Sequence, residues 1–246
     1  MPTDCLFRED SYLRECSATV VGLTDTGGIV LDRTVFYAAS GGQPADGGVL
    51  TTSRGDAILV ANANFTDPGK TEIAHLPASG TGNDLKVGDP VHAMIDWDRR
   101  YARMRMHTAL HLLSAVLPFP VTGGSVGDGE GRLDFDIPDA GLDKDEITDK
   151  LARMIGAGAK VRSFWISDEE LAAKPNLIKT MSVKPPMGTG RVRLIDIVGY
   201  DLQPCGGTHV RNTREIGNVR VTQIEKKGKQ NRRVRIAFTG TAGTET

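Results

Sequence analysis

The sequence has few cysteines and no long apolar segment. Only three cysteines occur among 246 residues, at positions 5, 16 and 205, and this small odd number excludes a disulfide-stapled scaffold. No apolar run approaches the roughly 20 residues that a membrane-spanning helix needs. Residues 1–10 also lack the apolar core of a signal peptide. We therefore expect a cytoplasmic protein with no membrane partner.

The net charge is also small. A formal charge of −1 excludes a protein that coats nucleic acid through bulk charge, although it leaves room for a local basic patch. Hydrophobic residues make up 39% and charged residues 25%, which is an ordinary globular balance. The 29 glycines and 12 prolines favour turns and strands over a helical bundle.

The first part of the chain, residues 1–96, has the pattern of short strands between turns. The segment 24–27 predicts a hairpin turn between strands at 17–23 and 28–33. Such closely spaced strands are typical of a small barrel or a sandwich, and we predict a small N-terminal β-barrel. Further strands are predicted at 49–52, 56–64, 71–76 and 90–97.

The pattern changes after residue 96. Residues 98–117 contain no glycine or proline and carry apolar residues at helical spacing, and a second helix is predicted at 143–155 with Asp143 as its N-cap. The remaining sequence, after residue 155, predicts strands, a short helix that Ser167 caps, and a final hairpin. The fold class is therefore α+β: a barrel domain over 1–96, then an α/β domain over 97–246 with an antiparallel sheet and helices on one face.

Two pairs of metal-ligating residues stand out in the second domain. His107 and His111 are four residues apart in the predicted helix, so both imidazoles lie on one face, and Cys205 and His209 repeat this spacing in a glycine-rich loop. Three imidazoles and one thiolate are the mixture that Zn²⁺ prefers. Either pair alone is more often ordinary packing. A purely structural zinc, with four protein ligands closing its shell, also stays open.

These residues also carry a family resemblance. The segments HTALHLL at 107–113 and CGGTH at 205–209 resemble the editing domain of alanyl-tRNA synthetases, and resemble still more the freestanding AlaX proteins of the medium-length class. The segment DRTVFYAASGGQP at 32–44 resembles the glycine-rich motif of that family. The family usually has proline, an acidic residue and three glycines after the tyrosine, whereas here residues 38–40 are Ala-Ala-Ser and only two glycines follow.

The resemblance implies an activity. It implies a zinc-dependent hydrolase that removes serine, or glycine, from misacylated alanine tRNA in trans. Nucleotide and ATP binding are further properties that membership of the family implies. It also implies that Gln43 contacts the ester or the ribose and that Thr34 contacts the seryl hydroxyl. The alternative is a zinc-stabilised RNA-binding module or another zinc hydrolase. No obligate protein partner is expected.

Other polar and aromatic residues have two interpretations each. Asp201 either orients a ligand histidine or caps the metal loop, and Tyr37 either stacks on the terminal adenosine or fills the core. Charge runs are usually solvated faces, but in a protein that acts on tRNA they are also where phosphates bind. One basic run comprises Arg99, Arg100, Arg103 and Arg105. We favour the other as the tRNA contact: Lys226, Lys227, Lys229, Arg232 and Arg233.

Overall fold

The computed structural model describes residues 2–79, 84–137, 141–178, 190–228 and 230–240. The chain divides into two compact units, Met1–Tyr101 and Ala102–Thr246. The division falls inside helix α1 (Trp97–Val116), whereas the sequence places the domain boundary just before this helix. Among the described residues, no helix is long and apolar enough to cross a membrane.

Six strands of the first unit close into an antiparallel barrel, in the order β2-β3-β7-β6-β5-β8. The predicted barrel is confirmed, and the predicted hairpin at 24–27 joins β2 to β3. Strands β1 and β4 of the same unit pair in parallel and form a separate two-stranded sheet. The strands of this unit are β1 (Asp4–Cys5), β2 (Glu15–Leu23), β3 (Ile29–Leu31), β4 (Arg33–Thr34), β5 (Gly48–Thr52), β6 (Ala57–Phe65), β7 (Ile73–Pro77) and β8 (Pro90–Ile95).

Alternation of side chains builds the barrel core. In β8, Val91, Ala93 and Ile95 are buried, while the residues between them are exposed, as expected where successive side chains point to opposite faces. The inward side chains pack with the fully buried Phe36 and Leu50 into one apolar cluster. Closure pairs the edges that an open sheet would expose.

Within its described residues, the second unit contains the rest of α1, two further α-helices and two antiparallel sheets. The sheets have the strand orders β14-β15-β10-β9 and β11-β12-β13, so the α+β class is confirmed, with the sheet divided into two. The elements are β9 (Val121–Val126), β10 (Glu130–Asp136), α2 (Lys144–Gly156), β11 (Val161–Ser167), α3 (Asp168–Ala172), β12 (Arg191–Ile197), β13 (Asp201–Pro204), β14 (Val219–Lys226) and β15 (Asn231–Phe238).

Both short-range helix signals are confirmed. The Asp143 carboxylate accepts the backbone N–H groups of Asp145 and Glu146 at the start of α2, and Ser167 forms a reciprocal capping box with Glu170 at the start of α3. α1 approaches β10 closely because Gly131 lies beneath it. A Cβ at Gly131 would come within 2.9 Å of the Met106 side chain, so glycine allows the helix to pack there.

Candidate metal centre

The four predicted metal ligands lie together in the second unit. His107 and His111 project from successive turns of α1, and Cys205 and His209 come from the loop after β13. Their ligand atoms all lie within 4.8 Å of one another. The three histidines are buried and Cys205 is half-buried. The helical spacing and the glycines of the loop thus bring two distant pairs to one point.

Two of the distances between donor atoms match those around a tetrahedral ion. The Cys205 Sγ lies 3.6 Å from Nε2 of His107 and 3.4 Å from Nε2 of His209. Zinc bonds of about 2.3 Å to sulfur and about 2.0–2.1 Å to nitrogen, at a tetrahedral angle, place the two ligand atoms about 3.5 Å apart. These residues therefore fit Zn²⁺ in the types of their donor atoms and in the two distances from Cys205 Sγ to the histidine nitrogens.

Thr108 fixes the orientation of the His209 ring. Its hydroxyl donates to the carbonyl oxygen of Met104 at 2.8 Å, so it can only accept from Nδ1 of His209, which lies at 3.1 Å. The proton on His209 therefore sits on Nδ1, and the lone pair of Nε2 faces the other ligands. The sequence contains Thr108 within the matched motif, but its spacing alone does not predict this role.

Asp201 orients the second ring in the same way. Its Oδ2 lies 2.8 Å from Nδ1 of His111, a contact that the first of the two interpretations of this residue predicts. Gln203, two residues along β13, donates through Nε2 to the same Oδ2 at 2.8 Å and to Ser114 Oγ at 3.3 Å. Asp201, Gln203 and Ser114 are all buried. Because side chains alternate along a strand, both supporting residues face α1 from β13.

Arg193 holds the loop that carries Cys205 and His209. Its side chain is buried, and Nη1 donates to the carbonyl oxygens of Cys205 at 3.1 Å and Gly207 at 2.8 Å. The backbone N–H of Gly207 points at Cys205 Sγ, 3.4 Å away. Arg193 is one of three charged residues in β12, with Arg191 and Asp196, and nothing in the sequence of the strand distinguishes it as the buried one.

The electrostatics of the cluster favour a thiolate at Cys205. Burial opposes the Cys205 thiolate, but His107 and His209 hold the pKa of this thiol well below its usual range. Burial and the neighbouring His107 lower the pKa of His209 to about 3, so this ring is neutral. Burial also opposes charge on His111, but Asp201 and Cys205 outweigh it and raise its pKa to about 10. A thiolate is a strong metal ligand, whereas the His111 imidazolium must release its Nε2 proton before that nitrogen can bind a metal.

The glycine-rich motif lies in the first unit. Ser40 and Gln43 exchange backbone hydrogen bonds across a tight turn, and the residues between them, Gly41 and Gly42, have φ of 57° and 82°. Two successive positive φ angles are what this turn requires, and glycine adopts them without strain. The turn leaves Gln43 buried at 2% exposure. Tyr37 is also buried, edge-on against Phe7, as its core interpretation predicts.

Thr34 is fully buried and belongs to a hydrogen-bonded chain inside the same unit. His75 Nδ1 lies 2.9 Å from the carbonyl oxygen of Ile29, so it carries the proton, and Nε2 accepts from the Thr34 hydroxyl at 2.8 Å. The Thr34 oxygen also accepts the backbone N–H of Phe36 at 3.0 Å. The Thr34 hydroxyl therefore donates its proton to His75, and one lone pair of Oγ1 has no partner in these two hydrogen bonds.

Two arginines of the first basic run, Arg100 and Arg103, are buried, whereas Arg99 is exposed. Arg100 is fully buried and pairs with Asp46, whose Oδ2 also accepts the backbone N–H of Tyr37 at 2.8 Å. Arg103 pairs with Asp128 at 2.6 Å. Arg105 donates to the carbonyl oxygen of Ile216 at 2.8 Å. The phosphate-contact interpretation of this run is therefore wrong for Arg100 and Arg103, because both side chains are buried and paired with a carboxylate.

The second basic run lies at the hairpin between β14 and β15. Arg233 forms a two-pronged ion pair with Asp134, at 2.7 and 2.9 Å, and Lys227 pairs with Glu225 at 2.8 Å. Arg232 is buried and donates to the carbonyl oxygen of Gly228 at 3.3 Å. Lys226 is exposed. Lys229 lies outside the described residues. A tRNA contact at this run stays a prediction.

Comparison with known proteins finds two matching family models and relatives that are similar over nearly the whole chain. Threonyl and Alanyl tRNA synthetase second additional domain matches residues 192–235, and tRNA synthetases class II (A) matches residues 12–99. The alanyl-tRNA editing protein AlaX-M of Methanosarcina barkeri is 37% identical over 238 residues, which cover 94% of this chain and 97% of the relative. The chain belongs to the AlaX-M family. The resemblance of the motifs is thereby confirmed.

Other members of the AlaX-M family and full synthetases share the same region. AlaX-M of Saccharolobus solfataricus is 32% identical over 240 residues, which cover 94% of this chain and 97% of the relative. The alanine–tRNA ligase of Sulfurisphaera tokodaii is 36% identical over 234 residues, which cover 92% of this chain and 25% of the ligase. The matched segment 192–235 contains Cys205 and His209, and the match at 12–99 contains Thr34 and Gln43.

Proposed function

We propose that this protein is a trans-acting deacylase that hydrolyses the aminoacyl ester of misacylated alanine tRNA. Seryl-tRNA is the main substrate in this proposal and glycyl-tRNA the second. The observation that carries it is the buried cluster of His107, His111, Cys205 and His209 in a chain of the AlaX-M family. The relatives are named as alanyl-tRNA editing proteins, and their similarity over nearly the whole chain supports the same substrate class here.

Zinc is the proposed cofactor of the cluster. When bound, Zn²⁺ supplies a Lewis acid that orients an aminoacyl group or lowers the pKa of a bound water. Thr108 and Asp201 contribute by holding the Nδ1 protons of His209 and His111, so that Nε2 is the nitrogen of each ring that would bind the metal, in His111 after loss of its second proton. Arg193 keeps the Cys205 loop in place. The proposed stoichiometry is one zinc per chain.

Recognition of the aminoacyl end is assigned to the glycine-rich motif. We place Gln43 at the ester or ribose, where its amide offers both a donor and an acceptor. Thr34 is the proposed partner of the seryl hydroxyl. Because its own proton is committed to His75, Thr34 Oγ1 would accept the seryl O–H through its remaining lone pair. Alanine has no hydroxyl to offer, so this contact favours the seryl ester.

The tRNA itself is the proposed macromolecular partner. Contacts to its phosphates at Lys226, Lys227, Lys229, Arg232 and Arg233 are retained as part of the proposal. Lys226 supports it best, since this side chain is exposed and has no acidic partner among the described residues. ATP binding and a cytoplasmic location stay predictions from the sequence.

A second function is favoured by the number of ligands. Four protein ligands complete a tetrahedral shell, which is typical of structural zinc. Such a site would stabilise an RNA-binding module without catalysis. Hydrolysis separates the two functions.

The test is a deacylation assay with alanine tRNA charged with serine, glycine or alanine. The deacylase proposal predicts rapid loss of the seryl ester, loss of the glycyl ester, and an alanyl ester that is largely spared. Binding of all three tRNAs without hydrolysis would instead support the RNA-binding module. A Gln43→Ala variant with unchanged seryl-tRNA kinetics would remove Gln43 from the site while leaving the reaction intact.

A further inference from the structure

An open concavity of about 420 Å³ lies on the second unit beside the metal centre's supporting residues. Its lining combines an aromatic ring, apolar side chains and two cations: Ala115, Val116, Lys150, Arg153, Met154 and Tyr200. Ala115 lies one helical turn beyond His111 on α1, and Tyr200 directly precedes Asp201, the partner of His111. The concavity is therefore built on the same elements as the cluster but is separate from its ligands.

Further cations flank the concavity. Lys160 is exposed, and its carbonyl oxygen accepts the backbone N–H of Val198 at 3.0 Å, which places it beside the turn that carries Tyr200. Arg214 is exposed, and its Nε donates to the carbonyl oxygen of Gly156 at the end of α2, whose last turn carries Arg153. We define the Tyr200 surface as the concavity together with Lys160 and Arg214.

The charges on the Tyr200 surface are less neutralised than those of the β14–β15 hairpin. Arg153, Lys160 and Arg214 have no acidic partner among the residues that the structure describes, and only Lys150 has one, Glu146 at 2.6 Å. At the hairpin, Arg233 and Lys227 are each paired with a carboxylate. Unpaired exposed cations are available to phosphates, because no internal ion pair has to be broken first.

The aromatic ring adds a second kind of contact. Tyr200 is 36% exposed in a turn, although large aromatic side chains usually gain free energy by burial. An exposed ring among cations matches the chemistry of an unpaired nucleotide, whose base stacks on the ring while its phosphates meet the cations. Val198, two residues earlier in the same turn, is also exposed at 41% and extends the apolar area.

We propose that the Tyr200 surface binds the tRNA, with phosphates at Arg153, Lys160 and Arg214 and a base stacked on Tyr200. The inference rests on the proposed function for the identity of the nucleic acid. It assigns to this surface the greater share of tRNA affinity, and to the hairpin a smaller one. The Tyr200 surface contributes to the affinity for tRNA and does not contact the ester. Changes to this surface therefore leave kcat at saturating tRNA unaffected.

The test measures the dissociation constant of uncharged alanine tRNA at several salt concentrations. The first variant is the double substitution Arg153→Gln and Lys160→Gln, and the matched control is Lys86→Gln with Arg220→Gln. The control removes two exposed cations that lie outside the surface and have no acidic partner among the described residues. The second pair is Tyr200→Ala, with Tyr200→Phe as the variant that keeps the stacking ring.

The expected results differ for the two kinds of contact. The double variant weakens binding about tenfold and lowers the slope of log affinity against log salt by about one per lost phosphate contact. Tyr200→Ala weakens binding about fivefold or more with little change in the slope, and Tyr200→Phe stays near wild type. With seryl-tRNA, these variants raise KM and leave kcat and zinc content unchanged.

Failure of this proposal is distinguishable from failure of the proposed function. If wild type deacylates seryl-tRNA but the double variant and Tyr200→Ala bind tRNA as tightly as the control, the surface is wrong and the function stands. An equal loss of affinity in the control also overturns the surface. If wild type deacylates nothing but the variants still lose tRNA binding, the surface stands as an RNA-binding site and the deacylase proposal falls.

Discussion

The hydroxyl of Thr108 and Nδ1 of His209 lie 3.1 Å apart, although the two residues are 101 positions apart in the chain. The same hydroxyl donates to Met104 one turn earlier in α1 and accepts the backbone N–H of Val210 at 3.3 Å. One side chain therefore ties the Cys205 loop to the helix that carries His107 and His111. A hydrogen bond to the second nitrogen of a ligand histidine fixes its tautomer and increases its strength as a ligand.

Replacement of Thr108 tests this relationship. Thr108→Val preserves the shape of the side chain but removes the hydroxyl, so we expect zinc affinity to fall about 10- to 100-fold. Thr108→Ser keeps the hydroxyl and is the matched control, with affinity near wild type. Competition with a chromophoric chelator measures both constants. Equal zinc affinity in the valine variant and wild type would show that Thr108 does not orient the ring.

The buried pair of Arg100 and Asp46 predicts a large stability effect. Asp46→Asn keeps the shape but leaves the Arg100 guanidinium without its counter-ion in a fully buried position. Breaking one side of such a pair costs about 3–5 kcal/mol in the free energy of unfolding. Asp56→Asn removes the partner of Arg54 in an exposed pair and should cost less than about 1 kcal/mol. Urea unfolding measures both, and comparable small losses would mean that the buried pair contributes little.

His75 predicts a pH dependence of stability. Burial lowers its pKa to about 4, whereas the unfolded chain has the ordinary value of 6.5. Between these values the unfolded state binds a proton that the folded state does not, so stability is present above about pH 6.5 and decreases as the pH falls towards 4. The contribution is at most about 1.4 kcal/mol per pH unit.

The measurement is the free energy of unfolding of zinc-loaded protein between pH 7 and pH 5. His75→Gln removes the titrating group, so its curve should be flatter than that of wild type whatever its absolute stability. Parallel curves for the two proteins would assign the pH dependence to other groups.

Thr34 tests the proposed discrimination between serine and alanine. Loss of one neutral hydrogen bond in Thr34→Val should cost about 0.5–1.5 kcal/mol with the seryl substrate, a roughly two- to tenfold loss of kcat/KM. The alanyl substrate should lose less. Because Thr34→Val also leaves His75 Nε2 without its donor, Thr34→Ser is needed as the control that keeps the hydroxyl. A ratio of seryl to alanyl rates that does not fall in Thr34→Val removes Thr34 as the discriminator.

The sequence predicts the ligands better than their support. His107, His111, Cys205 and His209 were recognisable because helical spacing and a glycine-rich loop are local signals. Thr108 acts on a segment about a hundred residues away, and Arg193 on one about a dozen residues away. The periodicity of apolar residues along the chain does not encode such contacts. Asp201 stayed ambiguous for the same reason.

The fold shows a similar division. The barrel hairpin and the capped helices α2 and α3 followed from turn and capping residues. The pair of β9 and β10 was not predicted, because glycines at 123 and 124 interrupt the apolar alternation of β9. Neither interpretation of the first arginine run included burial, since charge in the sequence does not reveal that Arg100 meets Asp46 inside the protein.

The most direct test of the account is the rate of seryl-tRNA deacylation as zinc is restored to metal-free protein. Activity is expected to be lost with the metal and to rise in proportion to bound zinc, levelling off at about one zinc per chain. Cys205→Ala, which removes the thiolate ligand, should lose both zinc and activity. Full deacylase activity in protein that holds no zinc would contradict the account.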